Sequence, residues 1–156
     1  MTTAKDLEPY APNVEGLVAI LEDFRQTMPN PIVFKVAAYR TETFENVSQG
    51  DALYSRASDG KVGKAVANGT LDQATVAGFA ETTQTAGQIV RVIVSGQVAA
   101  GTQTLDAGDL FFLSDSTAGA ITTTPPSGAG KAITRVGEAS TATDFAIHIE
   151  PPVLLR

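Results

Sequence analysis

The side chains able to do chemistry are few and scattered along the chain. His148, the single histidine, stands in the run Phe145-Ala146-Ile147-His148-Ile149-Glu150. Strand alternation turns Phe145, Ile147 and Ile149 inward and sets His148 outward beside Glu150. No Ser or Cys nucleophile motif accompanies it, so it reads as a solvated or interface histidine and not as a general base. Asp106, Asp109 and Asp115 gather around the turn at Gly108. Their oxygens would suit calcium, but the spacing matches neither a helix-loop-helix calcium loop nor a glycine-rich nonapeptide, and they read as turn-forming aspartates. A glycosidase needs two carboxyls set apart by the fold, and nothing in the sequence nominates a pair. Neither type of glycine-rich nucleotide loop is present. Arg91 is a charge inside the apolar run Ile89-Val90-Arg91-Val92-Ile93-Val94 and reads as facing a subunit boundary or a carboxylate. Arg56, Lys61 and Lys64 read as a small solvated basic face. The residues nominate no catalytic group, cofactor or metal ligand.

Composition narrows the classes further. The chain has 156 residues, 43% of them hydrophobic, which suits one ordinary domain with a sizeable core. There is no cysteine, hence no disulfide framework and no thiolate metal site. The formal net charge of −6 opposes attraction to nucleic acid. No stretch approaches the roughly 20 apolar residues that span a membrane, and Met1 to Asp6 lacks the basic start and apolar run of a secretory signal. Ala, Gly and Thr are abundant and Trp is absent, so the core must be built from small and β-branched side chains, a composition for strands.

The elements follow from periodicity. Met1 to Ala11 reads as an extended arm. Asn13 stands where an N-cap would, with Glu15 in the first turn. Val14, Leu17, Leu21, Phe24 and Met28 then recur at spacings of three and four, predicting an amphipathic helix from Asn13 to Met28 that Pro29 and Pro31 end. Those five positions either pack on their own domain or form the a and d seam of a short parallel coiled coil about a symmetry axis. Ile32 to Tyr39 reads as a strand, continued irregularly by Thr41, Thr43, Phe44 and Val47. Further strands are expected near 52–56, 62–67, 75–81, 88–95, 96–101, 109–114, 120–124, 132–139 and 145–150, with Asp59-Gly60 and Asn68-Gly69 as tight turns. Pro125 and Pro126 keep the 123–130 loop out of any sheet. Within this series the chain repeats itself. Gly50-Asp51-Ala52-Leu53-Tyr54-Ser55 is answered by Gly108-Asp109-Leu110-Phe111-Phe112-Leu113-Ser114, at an offset of about 58 positions. The expected architecture is therefore mainly β, a barrel or sandwich of two similar β units preceded by one N-terminal amphipathic helix. Residues 1–46 form an N-terminal attachment segment and residues 47–156 the β module.

One resemblance runs through this module. Its pieces are Gly50-Asp51-Ala52-Leu53-Tyr54, Val76-Ala77-Gly78-Phe79-Ala80, the run from Ala86 to Val98, the run from Leu105 to Ser114, Gly119-Ala120-Ile121-Thr122-Thr123-Thr124-Pro125-Pro126, Val136-Gly137-Glu138-Ala139, and Ile147-His148-Ile149-Glu150-Pro151-Pro152-Val153-Leu154-Leu155. In this order they resemble a β-rich module of tailed-bacteriophage structural proteins, over about Val47 to Leu155. The resemblance implies a non-enzymatic virion component, typically a homotrimer, without cofactor. Its implied partners are copies of itself and other virion proteins, with no nucleic acid and no membrane. On this reading a tail-fibre or baseplate-attached protein docks through its N-terminal segment and can touch a host surface glycan. The alternatives are a capsid decoration protein that clamps neighbouring capsomers of the major capsid protein, and a carbohydrate-binding module. The last expects exposed aromatic side chains, yet aromatics are only 6% of the chain. The interface expected from the residues is Val14, Leu17, Leu21, Phe24 and Met28, together with the tail residues Val153, Leu154 and Leu155 pinned against a neighbour.

The two readings of the helix separate in solution. With a coiled-coil seam, Leu21→Asp lowers the native mass measured by sedimentation. With a helix packed only on its own domain, it lowers the unfolding midpoint and leaves the mass unchanged.

Overall fold

The computed structural model describes residues 37–156. The helix expected from Asn13 to Met28, with Val14, Leu17, Leu21, Phe24 and Met28, and most of the strand expected from Ile32 lie outside the described residues. Those described are mainly β, in three sheets with one short helix. Strands β1 (Ala38–Glu42), β2 (Ala52–Ser55), β3 (Val62–Lys64), β4 (Gly78–Ala80) and β5 (Ile89–Ile93) form one sheet in the order β1-β5-β4-β2-β3. Strands β6 (Gly96–Ala99), β7 (Leu110–Leu113), β8 (Ile121–Thr122), β10 (Arg135–Ala139) and β11 (Asp144–Ile147) form a second, in the order β6-β11-β10-β7-β8. β9 (Ala132–Ile133) and β12 (Val153–Leu154) pair separately. Tyr39 and Arg40, which the sequence reading puts in the attachment segment, lie on β1, the edge strand of the first sheet.

The two strand orders match member for member, and so do the ladders. Tyr54 faces Gly63 and Ser55 faces Val62 in the first sheet; Phe112 faces Thr122 and Leu113 faces Ile121 in the second. The turns that open the two copies are also alike. Asp51 N–H donates to the Ser48 carbonyl at 3.0 Å, and Asp109 N–H to the Asp106 carbonyl at 3.1 Å. Gly50 at φ 86° and Gly108 at φ 93° occupy the third position of these turns, where a type II turn needs a positive φ. Gly50 N–H then bonds the Ala80 carbonyl, as Gly108 N–H bonds that of Ala139.

Alternation along the strands of the first sheet makes both its faces apolar. Ala52, Tyr54, Phe79 and Ile93 point into a core shared with Val98, Phe111, Leu113, Val136 and Phe145 of the second sheet. Leu53, Val62, Ala80, Val90 and Val92 point the other way and are closed over by Val47 from the β1–β2 connection. Across the shared core the Phe79 and Phe145 rings meet edge to face, their centres 4.6 Å apart, a geometry worth about 0.5–1.5 kcal/mol beyond burial.

Several elements differ from the periodicity. Residues near Asn68-Gly69 lead into a helix, α1 (Leu71–Ala74), where Thr70 and Gln73 form a reciprocal capping box. The strand expected over 132–139 is broken at Thr134, a fully buried residue whose hydroxyl donates to the Ala74 carbonyl at 2.8 Å. The Asp59-Gly60 turn sits in a six-residue connection, closed by Arg56 N–H to the Lys61 carbonyl at 2.8 Å.

The two equivalent turns differ in one testable respect. A Cβ on Gly50 would stand 2.7 Å from the Ala100 carbonyl carbon, whereas one on Gly108 meets open space. Gly108→Ala is expected to cost only the left-handed strain, about 1–2 kcal/mol. Gly50→Ala adds a backbone collision of about 1–3 kcal/mol. Urea unfolding of the two variants measures the difference; equal losses would contradict the close approach to Ala100.

Candidate interaction surface

The tail residues are the part of the expected interface that the structure describes. β12 runs antiparallel to β9, with Val153 opposite Ile133 and Leu154 opposite Ala132. Leu155 N–H donates to the Lys131 carbonyl at 2.8 Å, and Gly130 N–H to the Leu155 carbonyl at 3.0 Å. β9 is itself tied inward by Ala132 N–H to the Ala67 carbonyl at 2.8 Å. The backbone of the tail is thus held by its own chain. Its side chains are offered outward, Val153 at 63% and Leu154 at 54% exposure, with Leu155 half-buried. Burying a large aliphatic side chain is worth about 1.5–3 kcal/mol, so this pinned strand holds ready two apolar contacts that cost little further ordering.

Ion pairs brace the base of the tail and its partner strand. Glu150 N–H donates to the Arg135 carbonyl at 2.9 Å, and the Glu150 carboxylate lies 3.3 Å from the Arg135 guanidinium and 3.5 Å from His148 Nε2. His148 is exposed beside Glu150, while Phe145 is fully buried and Ile147 and Ile149 half-buried, as alternation expects. Lys131 Nζ meets Asp115 at 2.6 Å, and this holds the Asp115 carboxyl below the ordinary carboxylate range. Asp106 and Asp109, without Asp115, line a cleft of about 330 Å³ with Thr104 and Phe111. Among the described residues no group of three or more acids or histidines is placed to hold a metal ion.

Arg91 meets a carboxylate, that of Glu81, across neighbouring strands. Tyr54 is buried and packs edge-on against Phe44, ring centres 5.9 Å apart, so it offers no exposed stacking platform. The basic residues Arg56 and Lys61 are each paired. Arg56 lies 4.1 Å above the Phe44 ring, a cation–π contact. Its Nε and terminal nitrogen donate to Asp59 at 3.1 and 2.5 Å, and Lys61 Nζ donates to Glu42 at 2.5 Å. No protein-family model matches the chain, and no curated protein matches it. Among the described residues no helix is long and apolar enough to cross a membrane.

The Arg56 hydrogen bonds, helped by the Lys61 N–H, lower the Asp59 carboxyl from its ordinary 3.8 to about 2. The sign follows from which form the fold prefers: the carboxylate is favoured, so its contribution is complete above about pH 4 and disappears as pH falls through about 2. A carbon-detected NMR titration is expected to place the Asp59 midpoint near 2, and Arg56→Gln to return it toward the ordinary range. A midpoint unmoved by Arg56→Gln would remove Arg56 as the cause.

Proposed function

We propose that this chain is a non-enzymatic bacteriophage virion structural protein, a homotrimeric tail-fibre or baseplate-attached component that docks through its N-terminal segment. The β module, a sandwich of two similar units, serves as the rigid body. The N-terminal residues Val14, Leu17, Leu21, Phe24 and Met28 and the tail residues Val153, Leu154 and Leu155 provide the contacts to other copies and to neighbouring virion proteins. The observation that carries the reading is the tail: two large apolar side chains lie in water on a strand whose backbone is already pinned to β9. Support also comes from the ordered series of motifs between Val47 and Leu155. Short strands with open edges suit a surface that is covered by neighbours.

The test is native mass and address. The intact chain is expected to sediment as a trimer, and labelled antibody on purified particles is expected to mark the tail. The double variant Val153→Asp, Leu154→Asp keeps its circular dichroism spectrum, because both side chains are exposed, and loses the trimer. A wild-type chain that sediments as a monomer at micromolar concentration defeats the assembly reading. Label confined to the head would move the protein to the capsid.

A further inference from the structure

The core-facing side of the first sheet does not stay apolar to its end. Alternation places Ala38, Ile93 and Phe79 on that face, all packed in or against the shared core. Two residues further along the same strands stand Arg40, Arg91 and Glu81. Arg40 and Arg91 are direct partners across the β1–β5 ladder. Like charges so opposed destabilise a sheet unless they are countered. Glu81 pairs with Arg91; Arg40, which is exposed, has no ion-pair partner among the described residues. These side chains, with Thr82, Gln84 and Ile89, line a cleft of about 270 Å³. One positive charge in it is left over, in a chain whose net charge is −6.

We infer that this cleft is a binding site for a carboxylate carried on a hydroxylated ring, the chemistry of a hexuronate unit. The guanidinium of Arg40 presents a planar fork of donors matched to a carboxylate, and Arg91 stands beside it to share the charge. The remaining wall sorts the ligand further. Gln84 donates its side-chain N–H to the Thr82 hydroxyl at 3.2 Å, which leaves the Thr82 O–H and the Gln84 carbonyl to meet ring hydroxyls. The Glu81 carboxylate accepts from a hydroxyl and disfavours a second anionic group. Ile89, 56% exposed, supplies an apolar wall for the C–H face of a ring. A cleft of about 270 Å³ has room for a single ring. The assignment stands on the cleft alone and is independent of where the chain sits in any particle.

The experiment is a titration of the full-length, isotope-labelled chain with sodium glucuronate, followed by amide NMR. Saturable shifts are expected at residues 40, 81–84 and 89–91, weakening as salt is raised. Glucose is expected to produce none, and sodium sulfate at equal ionic strength to bind more weakly than glucuronate. Arg40→Gln is expected to weaken glucuronate binding about tenfold or more, and Arg40→Lys to recover it only in part, since a lysine keeps the charge and loses the fork. The amide spectrum of each variant reports at once whether the fold is intact, and Arg91→Gln offers a second route should Arg40→Gln unfold. Sulfate binding as tight as glucuronate, equal binding of glucose, an unchanged affinity in Arg40→Gln, or shifts confined to other residues would each overturn the assignment.

Discussion

The structure depends on a short piece of backbone that must be hydrogen-bonded where water cannot reach it. Ala65 and Ala67 follow β3 and are fully buried. A buried amide without a partner costs about 1–3 kcal/mol, so the chain has to find one for each group, and it finds most of them in the other half of the repeat. Ala65 N–H bonds the Ala52 carbonyl, and the Ala65 carbonyl receives Gly119 N–H. Ala67 N–H bonds the Ser114 carbonyl, and the Ala67 carbonyl receives Ala132 N–H. Ala52 N–H bonds the Gly119 carbonyl in turn. The two copies are therefore stitched through backbone, which fixes their register more tightly than side-chain packing alone.

That stitching explains the composition. Backbones can approach this closely only where side chains are small, and the crossing residues are Ala52, Ala65, Ala67, Ser114, Gly119 and Ala132. Bulk in the shared core comes from other residues, chiefly Phe79 against Phe145 and Phe111 and Leu113 of β7. The same stitching reaches the tail. β9 is joined to Ala67 on one side and to β12 on the other, so the exposed Val153 and Leu154 are carried on backbone continuous with the core. A surface built this way presents apolar groups without the ordering cost that a loose C-terminal tail would bring.

Much of this was legible from local pattern. The Gly-Asp turns, the alternation of apolar residues and the offset between the copies are local or pairwise properties, and they placed most strands and the outward face of His148. The helix capped by Thr70 and Gln73 is not legible in the same way: Asn68-Gly69 reads only as a tight turn, and a single helical turn lacks the periodicity that marks a helix. The break at Thr134 was hidden because its reason, a buried bond to Ala74, comes from sixty residues away. The cleft at Arg40 was hidden for a similar cause. Arg91 stands out as a charge in an apolar strand, but nothing in its local sequence marks Arg40, which meets Arg91 only through the pairing of β1 with β5.

By itself the sequence determined the mainly β character, the duplication, the positions of the turns, and the lack of any cysteine or clustered histidine chemistry. These follow from residue type and spacing within a few positions, where φ preference and side-chain alternation act directly. Tertiary structure alone decided which backbone groups close the core, that the tail strand pairs with its own chain, and that two arginines share one rim. Each of those rests on hydrogen bonds and charges between residues distant in sequence, and their energies exist only once the sheets have formed.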